Sequence, residues 1–561
     1  MRVKFFLLSC CPFIVTAVML TVIQPPFELS LLAWVALVPF ILVCSPAAKL
    51  SHLAILAYIV SLIYWLGNLY WMAPVTALGW AAFCLYTALL WPILLIALRY
   101  CRKRNWPLFI AVPILVVGAE RLQGLFLGGF FWRLLSHSQY ANITFIQIAD
   151  IFGAAGISFL IAMVNGLLAE LLIAAGQKNI LRVRYFLHTA LVLTALAGTI
   201  VYGRWRISQA EKFIETGPLV ASVQSNVPQS VKESLQADDE IFDSLLQQSR
   251  QSAEAGAELI VWPETMVQAI LNESVWPFMV SSQRSRAFDK ALKEHSNNTA
   301  FVLVGSPGGE IKWENDGTVS LARYNSAFLY TPDGSQAKEQ YNKVHLVPFG
   351  EVVPFRKSIP WLYNLLMSFT PYDYEYSLDY GTKYTVFEIA GKDKSIYRFG
   401  VMICYEDAVP AIARKFAVDR QGQKKLDWLV NISNDGWFVR FNSGIVCPTT
   451  ELAQHAAICA FRAVENRLAV LRSVNTGISC LVDTQGQIKN GFLAGNLPNN
   501  AMERKGVAGW LADTVPIDKR VTFFSRYGQW LDFCCALCLV LLIIVPPLGR
   551  FFSKRTKKIK G

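Results

Sequence analysis

Apolar residues follow two regimes along the chain. In the N-terminal part they form long runs at 5–23, 29–44, 53–72, 75–98, 107–126, 145–175 and 186–201, and one more run follows at 530–548. A helix that crosses a bilayer needs about 17–25 apolar residues. The pattern therefore predicts about eight spans, with 29–44 and 186–201 at the short end. Between about 217 and 525 the apolar stretches are shorter and richer in β-branched residues. The stretches 219–223, 259–262, 301–304, 327–330, 399–403, 426–432 and 478–482 read as strands. Helical spacing appears at 238–255, 285–295 and 453–466. Thr331-Pro332-Asp333-Gly334 and Asp483-Thr484-Gln485-Gly486 carry hairpin-turn chemistry. Alternating strands and helices imply a layered α/β domain. The expected organisation is a helical membrane bundle over 1–205, a globular insert over 217–525, and a last span with a basic tail over 526–561.

Charge sharpens the membrane reading. Only 16% of residues are charged, against about a quarter in soluble chains. The net charge of +12 taken alone would point to nucleic acid, but its placement argues for a bilayer. Arg2 and Lys4 precede the first run, Lys49 follows the second, and Arg99, Arg102, Lys103 and Arg104 follow the fourth. Lys178, Arg182 and Arg184 follow the sixth, and Lys554, Arg555, Lys557, Lys558 and Lys560 follow the last. The alternate short loops, 24–28 and 73–74, hold no Lys or Arg. Since basic loops stay in the cytoplasm, both termini are expected there and the globular insert on the far side. The first run is expected to remain attached, because Ile23-Gln24-Pro25-Pro26 offers no small-residue cleavage site.

Of the twelve cysteines, only Cys404, Cys447, Cys459 and Cys480 fall in the globular region. Their spacing fits no zinc site, and a Cys447–Cys480 disulfide stays open. Neither His345 nor His455 is assigned as a metal ligand, and no metal is expected.

Three segments place a reactive side chain at or just past the end of an apolar strand, where loops present groups to a cleft. They are Leu259-Ile260-Val261-Trp262-Pro263-Glu264, Tyr341-Asn342-Lys343-Val344-His345, and Val401-Met402-Ile403-Cys404-Tyr405-Glu406-Asp407. A thiol, a carboxylate and an amine suffice for acyl transfer: nucleophile, proton acceptor and oxyanion partner. Each also has an ordinary reading: Cys404 as core, Glu264 as a turn residue, Lys343 as a solvated hairpin residue.

In this order the three segments resemble the Glu-Lys-Cys triad of the nitrilase superfamily. The match narrows to its membrane-bound branch, the apolipoprotein N-acyltransferases. Trp262-Pro263-Glu264, Lys343 with Leu346-Val347-Pro348-Phe349-Gly350-Glu351, and Ile403-Cys404-Tyr405-Glu406 carry it. Val223-Gln224-Ser225-Asn226-Val227-Pro228-Gln229, Asn431-Ile432-Ser433-Asn434-Asp435-Gly436-Trp437-Phe438, Phe461-Arg462-Ala463-Val464-Glu465-Asn466-Arg467 and Asn475-Thr476-Gly477-Ile478-Ser479 are similar too. So are Glu120-Arg121, the 128–132 arm and Gln147-Ile148-Ala149-Asp150-Ile151-Phe152-Gly153. The chain departs from the pattern at 439–452, which is longer and different, and at Phe131, where a Pro commonly precedes the Trp.

The resemblance implies an αββα sandwich for the insert and a reaction in two halves. Cys404 would take an acyl chain from a phospholipid as a thioester and pass it to the α-amine of a diacylglyceryl-cysteine on an apolipoprotein. Glu264 would be the base, and Lys343 with the Tyr405 amide would hold the oxyanion. Glu351 would orient Lys343 or Glu264, Glu406 would be structural, and Trp437 would line an acyl pocket. No cofactor is expected. The partners would be phospholipid donor, apolipoprotein acceptor and lipid bilayer, in the inner membrane with the insert in the periplasm. Two rivals are a membrane-anchored amidase-like hydrolase and a catalytically silent scaffold. The apolar stretch 359–369 reads as a lid dipping into lipid or as a buried core helix.

Overall fold

The computed structural model describes residues 2–125, 129–232, 237–313, 317–356, 358–368 and 375–559. It divides into two compact units: Met1–Ala73 with Leu78–Ile207 and Tyr527–Gly561, and Pro74–Ala77 with Ser208–Arg526.

The first unit is helical. Among the described residues four helices are long and apolar enough to cross a membrane: Leu50–Asn68, Ala77–Lys103, Ala154–Gly176 and Val183–Ser208. Shorter apolar stretches lie at Ser9–Val22, Ser30–Val43, Ile143–Phe152 and Trp530–Val545. The run 29–44 is not one helix. It breaks into a 3-10 turn at Ser30–Trp34 and a short helix at Val38–Val43. Asn165 of the Ala154–Gly176 helix fills the break: its Oδ1 accepts from Leu37 N at 2.8 Å and its Nδ2 donates to Ala33 O at 2.9 Å. Irregular backbone in an apolar setting persists where a neighbour satisfies it. The run 145–175 also divides, because Gly153 (φ 65°) ends two short turns before the long helix starts at Ala154.

Glu120 and Arg121 do not pair with each other. Glu120 Oε1 accepts from Leu135 N at 2.7 Å, and Arg121 reaches Asp532 of the C-terminal helix at 3.8 Å. In the arm, Trp132 is buried and its carbonyl accepts from Gln123 Nε2 at 2.9 Å; Gly128 lies outside the described residues.

The second unit is two packed sheets between helices. One sheet runs in spatial order Ala494–Gly495, Gly509–Asp518, Ile214–Gln224, Leu259–Val261, Phe301–Trp313, Val319–Tyr330 and Tyr341–Asn342. The other runs Cys480–Val482, Ala469–Val474, Trp428–Ser433, Ile396–Ile403 and Val386–Ala390. The central neighbours in each are parallel. Short serines stitch the sheets face to face: Ser473 Oγ donates to Val223 O and Val261 O at 2.9 and 2.8 Å. Helices Ala237–Glu254 and Gln283–Asn297 bury Phe242, Leu245, Phe288 and Leu292 against Ile260, Trp262, Val302 and Val304. Helices Pro410–Ala417 and Thr450–Asn466 cover the second sheet. This is the αββα sandwich that the resemblance implied. Cys447 is exposed and Cys480 buried, and both are free thiols.

Candidate active site

Parallel strands all end on one side of their sheet, and their C-terminal ends are where α/β folds place reactive groups. Leu259–Val261 leads through Trp262-Pro263 to Glu264, and Thr265 then turns the chain back with φ 48°. Ile396–Ile403 delivers Cys404, which has φ 54° and opens the 3-10 turn Cys404–Ala408. A non-glycine residue at positive φ is strained, and such strain gathers at functional turns. Tyr341–Asn342 hands over to Lys343, and Trp428–Ser433 to Asn434.

The geometry brings Lys343 and Glu264 into one buried cluster and sets Cys404 beside it. Lys343, 1% exposed, places its Nζ 2.8 Å from Glu351 Oε2 and 3.4 Å from Glu264 Oε1. The reading of Lys343 as a solvated hairpin residue is therefore wrong: two carboxylates make its burial tolerable. Burial alone would lower the Lys343 pKa, but Glu351 and Glu264 more than reverse this, so it is held above the usual lysine range. Glu264 is fixed from two further sides. Its Oε1 accepts from Asn325 Nδ2 at 2.7 Å and its Oε2 from the Asn434 backbone N–H at 2.7 Å.

Cys404 lies partly buried beside this cluster. Burial pushes its thiol upward, the Glu264 carboxylate pushes further, and Lys343 and His455 pull the other way with less effect. A thiol held this way attacks only after a neighbouring base takes its proton. The Cys404 carbonyl is held by Asn431 Nδ2 at 3.0 Å.

Glu351 spans the cluster. Besides Lys343, it accepts from Asn325 Nδ2 at 2.8 Å and from Val347 N at 2.9 Å. Glu406 is fully buried and joins two loops: it accepts from Ile403 N beside the cysteine and from Val344 N, His345 N and Tyr341 OH around the lysine, at 2.7–3.0 Å. Burial raises its pKa to about 7 against those donors. Tyr405 is half-buried with its ring 5.9 Å from that of His345. Trp437 is half-buried in the turn Asp435–Phe438.

Asn325 and the Asn434 amide escaped the sequence reading. The available signal for Asn325 was a polar residue in a strand that is otherwise apolar toward its end, Asn325-Ser326-Ala327-Phe328-Leu329-Tyr330. His455, assigned no role from sequence, meets Glu451 from one helical turn earlier and Asp435 from another turn. The 359–369 stretch is a helix at Pro360–Met367 with no buried residue; Trp361 is 70% exposed, which removes the core-helix reading. Phe369 lies outside the described residues.

Known proteins agree with this architecture. Residues 16–167 match the family model for the apolipoprotein N-acyltransferase N-terminal domain, and 219–495 that for carbon-nitrogen hydrolases. The chain is 31% identical over 542 residues to the apolipoprotein N-acyltransferase of Geobacter metallireducens, covering 93% of this chain and 92% of that one. It is 26% identical to that of Chlorobaculum tepidum, covering 91% of each chain. For the Shewanella oneidensis enzyme the identity is 29%, over 82% of this chain and 79% of that one. Extensive coverage at this identity, spanning both units, makes the chain a member of the apolipoprotein N-acyltransferase family.

Proposed function

We propose that this membrane protein moves an acyl chain from a phospholipid to the N-terminal amine of a diacylglyceryl-cysteine on an apolipoprotein, through a thioester on Cys404. The observation that carries the reading is the buried contact of Lys343 with Glu264 and Glu351 beside Cys404 in its strained turn.

Glu264 takes the Cys404 proton as sulfur attacks the ester carbonyl of the phospholipid. The Lys343 ammonium and the Tyr405 backbone N–H hold the developing oxyanion; one such donor is worth roughly 2.7–4 kcal/mol. Lysophospholipid leaves with the proton from Glu264, and the acyl chain stays on sulfur. The α-amine of the acceptor then attacks the thioester, Glu264 removes its proton, an amide forms and the Cys404 thiol returns. Ester and thioester lie close in free energy and the amide lies below both, so the sequence of steps runs downhill without ATP. Asn325 and the Asn434 N–H keep Glu264 aimed through both halves. The Lys343 ammonium keeps its charge because two carboxylates face it.

Lipid substrates lose about 0.8 kcal/mol for each CH₂ drawn out of the bilayer, which favours an enzyme anchored by its own helices. The basic loops support an inner-membrane orientation with cytoplasmic termini and a periplasmic catalytic domain. The test is a product balance with purified protein, phospholipid and a diacylglyceryl-cysteine peptide. Transfer predicts lysophospholipid and triacylated peptide in equal amounts. Lysophospholipid matched by free fatty acid would make the protein a hydrolase and overturn the reading.

A further inference from the structure

Behind Cys404 lies a second cluster that the mechanism above does not use. The helix Thr450–Asn466 is buried along its length and presents Glu451, His455 and Cys459 at four-residue spacing. His455 is 2% exposed, and both ring nitrogens face carboxylates. Nε2 lies 2.8 Å from Asp407 Oδ1; Nδ1 lies 3.3 Å from Asp435 Oδ2 and 3.2 Å from Glu451 Oε1. A neutral imidazole donates from one nitrogen only, so carboxylates against both nitrogens favour the imidazolium. Arg472 backs the same two aspartates, at 2.7 Å from Asp407 Oδ2 and 3.7 Å from Asp435 Oδ2. Cys459 Sγ donates to Asp407 Oδ2 at 3.0 Å.

The atoms of Asp435, Glu451 and His455 lie close enough to hold a metal ion. The surroundings do not suit one: both imidazole nitrogens already face carboxylates, and the Arg472 guanidinium supplies positive charge to Asp435.

What the cluster joins is more telling. Asp407 is the third residue after Cys404 in the nucleophile's own turn. Asp435 follows Asn434, whose backbone N–H holds Glu264. We propose that His455, as an imidazolium between Asp407 and Asp435, is a positioning residue that locks the Cys404 turn to the Asn434 turn and so sets the nucleophile against its base. The role rests on the reading of Cys404 as nucleophile. Buried ion clusters gain little stability over apolar packing, and fixing one geometry is among their uses. Burial opposes the His455 charge, and Asp407 and Asp435 outweigh it, which agrees with an imidazolium. His455 and Asp435 also act on Cys404 with opposite sign, His455 lowering its pKa and Asp435 raising it.

The opposite signs give the test. The intact protein in detergent is alkylated with iodoacetamide across pH, and the Cys404 adduct is read by peptide mass. The groups facing His455 are Asp407, Asp435, Glu451, Arg472, Cys459 and Cys404. His455→Gln removes a cation and should move the Cys404 profile to higher pH. Asp435→Asn removes an anion and should move it to lower pH. Both variants should slow acyl-enzyme formation on the order of 10–100-fold with the phospholipid KM unchanged. If His455→Gln does not fold, Asp435→Asn carries the signed shift alone. Profiles that stay put, or that move in the same direction for both variants, would overturn the positioning role and leave the cluster as scaffold. Failure of the wild-type protein to form any acyl-enzyme would instead overturn the reading of Cys404.

Discussion

Gly305 takes no part in the chemistry, yet adding one methyl group there should slow the enzyme. It sits on strand Phe301–Trp313, opposite Ala327, with an ordinary strand backbone that alanine would accept. The obstacle is contact alone. A Cβ at this position would lie 2.6 Å from Pro263 O, 2.7 Å from the Glu264 Cα and 2.7 Å from Thr265 N. All three are backbone atoms, so no side-chain rotation relieves the clash, and ordinary contact starts only near 3.4 Å. The Glu264 turn must retreat by several tenths of an ångström. That pulls a carboxylate away from hydrogen bonds of 2.7 Å to Asn325 and the Asn434 N–H. Overpacking of this kind costs about 1–3 kcal/mol of stability, and misplacing a reacting group by about 1 Å costs on the order of 100-fold in rate. Gly305→Ala should therefore fold with a lowered melting temperature and form acyl-enzyme about 10–100-fold more slowly. The assay is a single-turnover mass measurement of Cys404 acylation beside a thermal melt. Wild-type rate and stability in Gly305→Ala would refute the claim that this close approach positions the base.

Other expectations follow from the same contacts. Asn325→Ala removes the amide that bridges Glu264 and Glu351; with charge-assisted bonds worth about 1.5–3 kcal/mol, acylation should slow at least tenfold, and an unchanged single-turnover rate would contradict the bridge. Lys343→Met should lower kcat by about 100–1,000-fold and leave Glu264 and Glu351 without their shared cation; the check is steady-state transfer to a diacylglyceryl peptide. Glu406→Gln sets an NH₂ group against some of the donors that now meet a carboxylate. At about 1–3 kcal/mol for each unsatisfied buried group, its melting temperature should fall, as calorimetry would show. Burial, with Lys343 nearby, lowers the His345 pKa from 6.5 to about 4. Between those values the unfolded state binds more protons, so stability falls as pH drops from 6.5 toward 4. His345→Gln should flatten that slope, by about 3 kcal/mol at most, in denaturant titrations across pH.

Much of the architecture was legible because membrane spans and strands leave local signals. Long apolar runs marked the helical unit, and short β-branched stretches ending at 262, 330, 403 and 432 lie at or within one residue of observed strand ends. Continuous apolarity could not reveal the break at 35–37, which depends on Asn165 from a distant helix. It also hid the division at Gly153, where a single left-handed residue does the work. In the site, Glu264, Lys343 and Cys404 stood out as strand-end residues, but nothing in their spacing made them neighbours, and the resemblance to a family supplied that step. The polarity of Asn325 did not disclose its role, which depends on the strand facing two carboxylates that come from other loops. The same holds for His455, whose partners Asp407 and Asp435 lie on two separate turns.

The central claim is that Cys404 carries the acyl chain. The most direct measurement is the intact mass of the purified protein after incubation with a phospholipid of single known acyl chain, beside a Cys404→Ala control. The account predicts a gain of one acyl group that hydroxylamine removes, that a diacylglyceryl peptide discharges, and that the control lacks. Phospholipid consumed with no adduct on folded protein, or an equal adduct on the control, would contradict it.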